Sequence, residues 1–209
     1  MGALPLALTS AVAYLLVAGA ASYLTFAPPP TPPAAAATPT IPSIPTTTVT
    51  TTTQTPAPTP TTTNPSDLRQ IEAPGGLTTT IPATWTVAEG TVTTTLVATD
   101  PTSPRRELRL GGAPVTDPGK TLLDRITEAA TDREREPGHR RVTLTATTIR
   151  GHPAVTWEFD ENASSGPKRV ATAFWEANGI EYVLYSAGPP EEWELTRSRL
   201  ALMSASAKP

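Results

Sequence analysis

The chain has 209 residues, with 16 Lys and Arg against 19 Asp and Glu, a formal net charge of −3. These charges are of mixed sign and form no basic stripe, which argues against a nucleic-acid partner. The absence of cysteine excludes disulfides, thiolate metal sites, thiol nucleophiles and a lipid-modified cysteine anchor.

Every Lys, Arg, Asp and Glu lies between Asp67 and Lys208, and the uncharged part before them divides in two. Residues 4–27 are apolar and rich in Leu, Ala and Val. As a helix they would rise about 36 Å, enough to cross a hydrocarbon core of roughly 30 Å. Two readings fit this run: an uncleaved signal anchor within residues 1–27, or a cleaved signal peptide with Ala18-Gly19-Ala20 as the small-x-small site. An inserted anchor ordinarily carries a basic inner flank. None is present here, so the natural reading frame is expected to begin upstream of Met1, which sequencing the native amino terminus would check.

Residues 28–66 are a Thr/Pro tract that proline biases toward extended polyproline II and away from helix or sheet. At about 3.1 Å per residue it could span on the order of 100 Å. Such a composition fits either an O-glycosylated stalk or an unmodified disordered linker. It also suits an exterior location, so residues 67–209 are expected to form an extracytoplasmic domain.

Within that domain, Leu77–Ile81 and Thr91–Val97 read as strands, and Glu107–Leu110 as a strand stopped by Gly111-Gly112. Asp100 to Pro104 marks a turn. Asp117 is the expected N-cap of a helix with Pro118 at its first position, and Pro137-Gly138 ends it. Leu122, Leu123, Ile126, Ala129 and Ala130 form its apolar face. Strands are expected over Arg141–Ile149 and through Val155, Trp157 and Phe159, followed by a polar loop over Glu161–Lys168. Asn178-Gly179 between two alternating runs predicts a hairpin. Its two-residue turn pairs Trp175 with Tyr182 and Ala173 with Leu184 on one face, and Phe174 with Val183 and Thr172 with Tyr185 on the other. Both faces are apolar and need cover. A second helix after Gly188-Pro189-Pro190, with Trp193, Leu200 and Met203 as its stripe and Glu191-Glu192 at its positive end, supplies one layer. The predicted fold class is α+β: an antiparallel sheet with a helix on each face.

Three stretches carry a resemblance: Ile81-Pro82-Ala83-Thr84-Trp85; Pro137-Gly138-His139-Arg140-Arg141 through Arg150-Gly151 to Trp157-Glu158-Phe159; and Tyr182 to Ser186 with Trp193. Their order resembles the extracytoplasmic PsbP/Mog1-like domain of actinobacterial serine/threonine protein kinases and related lipoproteins. That resemblance implies a PsbP/Mog1-type fold and a binding or sensor role, and it supplies no catalytic residue. The family usually places Gly before the first Trp, where this chain has Thr84. Residues 1–66 contain no glycine-rich nucleotide loop, catalytic Asp or Lys, so no kinase activity is carried over.

No catalytic constellation, metal set or cofactor motif emerges. His139 and His152 sit beside turn residues and read as solvated. Glu158 and Asp160 read as a solvated strand face. Glu176 and Glu181 should oppose each other near the hairpin tip, where a cation or a partner's Lys could relieve them. The candidate binding surface is Trp85, Arg109, Arg140, Arg141, Glu176 and Glu181. Expected partners are the membrane through residues 4–27 and a cell-wall polymer, small ligand or membrane protein. The alternatives are a cell-wall hydrolase using Glu158 or Asp160, or a structural accessory subunit.

Overall fold

A computed structural model describes residues 67–209; the expected membrane segment and stalk lie outside the described residues. No described helix is long and apolar enough to cross a membrane.

Strands β1 (Leu68–Ala73) and β2 (Leu77–Pro82) pair antiparallel as a separate ribbon. The other seven strands are β3 (Thr86–Glu89), β4 (Thr95–Asp100), β5 (Ser103–Pro114), β6 (Arg140–Ile149), β7 (His152–Ala163), β8 (Gly166–Ala177) and β9 (Ile180–Gly188). They form one antiparallel sheet in the order β3-β4-β5-β9-β8-β7-β6. Helix α1 (Leu122–Arg133) precedes β6, and α2 (Trp193–Ser206) follows β9.

The Asn178-Gly179 hairpin has the predicted register at every pair, Trp175 opposite Tyr182 and Phe174 opposite Val183 among them. Asn178 and Gly179 have φ of 53° and 76°, the left-handed values that such a two-residue turn requires. Because side chains alternate along β8, its two faces feed two separate cores. Val170 and Phe174 pack with Val155, Trp157 and Phe159 of β7 and with Leu122, Ile126 and Ala130 of α1. Ala173 and Trp175 pack with Tyr182 and Leu184 of β9, Leu77 and Ile81 of β2, and Met203 of α2. Each face of the sheet thus has its own helix. Helix α2 is also tied to the ribbon: the Thr79 hydroxyl donates to the Met203 carbonyl at 2.8 Å, and Thr78 and Lys208 exchange backbone bonds of 2.8 Å.

Several local expectations are corrected. Helix α1 starts at Leu122 with Thr121 as its N-cap, because the Thr121 hydroxyl accepts from the Asp124 amide while donating to the Asp124 carboxylate. That reciprocal cap outcompetes Asp117, whose carbonyl instead closes a turn with the Lys120 amide. Leu123 points outward and Arg133 inward, so the buried stripe of α1 is Leu122, Ile126, Ala130 and Arg133. Thr91–Thr94 is a turn, folded back by the Thr95 amide and hydroxyl on the Val92 carbonyl at 3.0 and 2.9 Å. Strand β5 runs through Gly111-Gly112 instead of stopping there. Both glycines answer a close approach: a Cβ on Gly112 would sit 2.7 Å from the Tyr182 ring, and one on Gly111 would collide with the Thr94 carbonyl. The expected polar loop is mostly hairpin, since β7 and β8 pair out to Ala163 and Gly166. Glu191 lies with Glu192 in a short 3-10 turn ahead of α2 and not in its first turn.

Candidate functional site

The sheet carries charged side chains inside the fold, and most are satisfied internally. On the α1 side, Arg125 reaches both hairpin-tip carboxylates, bonding Glu176 and, at 2.7 Å, Glu181. The predicted opposition of Glu176 and Glu181 is present, and the cation that relieves it comes from α1 of the same chain. A second network lies on the same face. Glu107 bonds Arg109 and takes the Lys168 ammonium at 3.2 Å. The Tyr185 hydroxyl donates to Glu161 at 3.2 Å, and Arg133 bonds Glu161 at 3.3 Å and Glu136 at 2.6 Å. Burial alone would raise the Glu107 carboxyl, but the Arg109 and Lys168 charges hold it below its ordinary value. Burial, reinforced by Glu161, pushes the Tyr185 phenol well up.

The other candidate residues are spread out. Arg140 pairs with Asp160, and Arg141 with Glu134 at 2.9 Å. Asp160 also faces Arg169 at 3.8 Å, and Glu158 faces Arg197 at 3.9 Å, so both carboxylates are engaged by cations. Trp157 and Trp175 are buried, while the ring of Trp193 is covered by Arg169 at 4.3 Å. The six predicted binding residues therefore do not converge on one place.

His139 corrects its expectation. It is not solvated: its ring packs against Phe159 at 4.6 Å and Trp157 at 5.7 Å, and neither ring nitrogen has a partner. Burial first, then the Arg133 charge, lowers its pKa to about 4, against the opposing pull of Glu134 and Asp160. The unfolded imidazole titrates near 6.5. The folded state therefore binds fewer protons, and the stability owed to neutral His139 is complete above pH 6.5 and is lost as pH falls toward 4. The urea midpoint should accordingly drop between pH 7 and pH 5, and His139→Gln should flatten that drop. The carboxylates held below their ordinary values, Asp100 by Thr102 hydrogen bonds and then Arg106, Glu107 by Arg109 and Lys168, and Glu192 by Arg106, lose their contributions only below pH 5. An unchanged slope in the variant would contradict this assignment.

One cluster stands apart. Trp85 leads into β3 and is buried at 5% exposure, and the Arg199 guanidinium of α2 lies 5.1 Å over its ring. Among the described residues, Arg199 is the one arginine with neither a hydrogen bond nor an ion pair to an acceptor, and its Nη1 is buried. The nearby carboxylates are already taken. Arg106 grips Glu192 with two bonds of 2.7 and 2.6 Å and holds Asp100 at 3.0 Å. Next to Arg199 the Thr196 hydroxyl is buried without a partner as well. Both face Gly188: a Cβ there would collide with the Thr196 hydroxyl and lie 3.9 Å from Arg199 Nη1. Burial, then the Arg106 charge, lowers the Arg199 pKa from its usual value. Two buried donors, a missing acceptor and a bare glycine thus meet where β9 turns into α2. Trp85 is among the residues predicted from the sequence; Arg199 and Thr196 are not. Nothing in the run Thr196-Arg197-Ser198-Arg199 separates the orphaned arginine from its exposed neighbour.

Residues 69–208 match the family described as Serine/threonine kinase C-terminal domain. No curated protein matches the chain. Among solved structures, the chain is similar to cyanobacterial PsbP (CyanoP) from Synechocystis sp. PCC 6803, at 12% identity over 70% of this chain and 95% of that one, with a TM-score of 0.54. It is also similar to LpqN of Mycobacterium tuberculosis, described as involved in cell envelope biogenesis, at 14% identity over 68% and 92% of the two chains and a TM-score of 0.47. Saccharomyces cerevisiae Ran-binding protein Mog1p follows at 12% identity, 68% and 94% coverage and a TM-score of 0.48. The first likeness shows the PsbP-like fold that the sequence resemblance implied.

Proposed function

This chain belongs to the serine/threonine kinase C-terminal domain family over residues 69–208, and on that premise we propose that it is a non-catalytic binding module of sensor type. Residues 4–27 anchor it in the cytoplasmic membrane, and the Thr/Pro tract over residues 28–66 holds the domain outside. Its ligand presents an oxyanion, a carboxylate or phosphate group, to Arg199 beside Trp85. The polymer, metabolite or membrane protein that bears this group is the signal or tether.

The observation that carries this reading is the unpaired guanidinium. A buried donor left without an acceptor costs roughly 1–3 kcal/mol. The Thr196 hydroxyl adds a second buried donor to the same place. Arginine donates only and threonine can donate, so an acceptor-only group satisfies both at once. Arg199 as a whole is half-buried, so solvent reaches part of it. Charge-assisted bonds of this kind are about twice as strong as neutral ones.

Thermal unfolding of the full chain in sodium phosphate, against sodium chloride at matched ionic strength, tests the reading. Phosphate at ten times its Kd should stabilise the wild type by about 1.4 kcal/mol. Phosphate also strengthens burial generally by exclusion from surfaces, and that effect acts on any variant. The expected result is therefore a phosphate-specific gain in wild type that Arg199→Gln loses. An equal gain in both would contradict it.

A further inference from the structure

Strand β6 stands at one edge of the seven-stranded sheet and pairs with β7 alone. Its outward N–H and C=O groups form an open ladder, which natural proteins ordinarily blunt with charge, proline or a very short strand. The opposite edge is blunted in that way, since β3 spans four residues and ends at Glu89. Strand β6 is not. From Val142 to Ile149 it reads Val-Thr-Leu-Thr-Ala-Thr-Thr-Ile, with no charge and no proline, and Thr145, Ala146, Thr147 and Thr148 are exposed. Regular pairing is bounded by the irregularity between Arg141 and Thr143 and by the Arg150-Gly151 turn.

We propose that β6 pairs antiparallel with β6 of a second copy of this chain, about a two-fold axis through Ala146, so that two sheets join edge to edge. The regular run Thr143–Ile149 is self-complementary about that residue. Thr145 then opposes Thr147 on one face, a favourable cross-strand pair, and Thr143 opposes Ile149. On the other face Ala146 opposes itself and Leu144 opposes Thr148. A closed two-fold contact of this kind uses the same patch on both subunits. Centring on Ala146 gives the longest regular overlap. Centring on Thr145 shortens it and brings Arg140 opposite Arg150, a like-charge pair, and centring on Thr147 shortens it equally. The occupant is another β6, and the pairing is independent of Arg199.

Because the chain has no cysteine, a single introduced one reports the register. At a two-fold axis, directly opposed residues lie about 4.5–5.5 Å apart, within disulfide reach. On oxidation, full-length Ala146→Cys should form covalent dimers at least about tenfold faster than Thr148→Cys, whose two copies lie beyond that reach. Adding Thr145→Glu with Thr147→Glu opposes glutamates at two places and should abolish the cross-link. Adding Thr145→Glu with Thr147→Lys opposes unlike charges and should keep it. Equal rates at positions 146 and 148, no cross-link at 146, or a cross-link indifferent to the paired glutamates would each overturn the proposal.

Discussion

Arg125→Ala should destabilise the folded domain by about 3–5 kcal/mol, the cost of removing one partner from a buried ion pair. The Arg125 side chain is 8% exposed and that of Glu181 is 4% exposed, so water cannot replace the lost guanidinium at Glu181. The same guanidinium bonds Glu176 and donates to the Asp117 and Lys120 carbonyls at 3.1 and 2.6 Å. It therefore fastens the segment before α1 to the tip of the β8–β9 hairpin. Without it, two carboxylates face each other across the ladder, where like charges repel. The double variant Arg125→Met with Glu181→Gln should recover most of the loss, because it removes the stranded charge along with its partner. Chemical denaturation of the single and double variants reads this directly. A single variant within about 1 kcal/mol of wild type would place the pair in the class of solvent-screened bridges.

Trp157→Ala should cost a similar amount, about 3–5 kcal/mol, through lost burial and the cavity left behind. Trp157 is fully buried and packs on Phe159 at 4.6 Å and on His139 at 5.7 Å, beneath α1. Its loss removes the wall that keeps His139 neutral, so the variant should also lose the fall in stability between pH 7 and pH 5. Trp157→Phe keeps the aromatic contact, removes the unpartnered indole N–H, and should cost markedly less. If Trp157→Ala unfolded at the wild-type denaturant midpoint, the α1-side core described above would be wrong.

The parts of this fold that local chemistry decides were legible in the sequence. The hairpin at Asn178-Gly179 was readable to the residue because its turn type sets the register and both flanking runs alternate. Alternation in β7 likewise sets Val155, Trp157 and Phe159 on one face, and that face is buried. Misreadings arose where distant contacts overruled local signals. Gly111-Gly112 resembles a stop, yet the strand continues, since the bare backbones admit Tyr182 and the Thr94 carbonyl. Strand β1 was missed because Leu68-Arg69-Gln70-Ile71-Glu72-Ala73 is mostly polar and is held by pairing with β2. Strand β3 was missed because it is short and stands at an edge. At the level of sites, the Glu176–Glu181 pair followed from register alone. Arg125 did not, because it arrives from another element. Arg199 was the least legible, since an orphaned donor is defined by what its neighbours already hold, here Arg106 on Glu192 and Asp100.

Arg199 either binds an anion or simply covers Trp85. Side-chain NMR of the arginine Nε–H groups and the tryptophan indoles, followed through a titration with inorganic phosphate, separates the two. Anion binding should give a saturable shift at Arg199 and Trp85, with Arg106 and the other ion-paired arginines little changed and with no saturable response in Arg199→Gln. A uniform, unsaturable drift of all arginines, or no movement at Arg199, would contradict it.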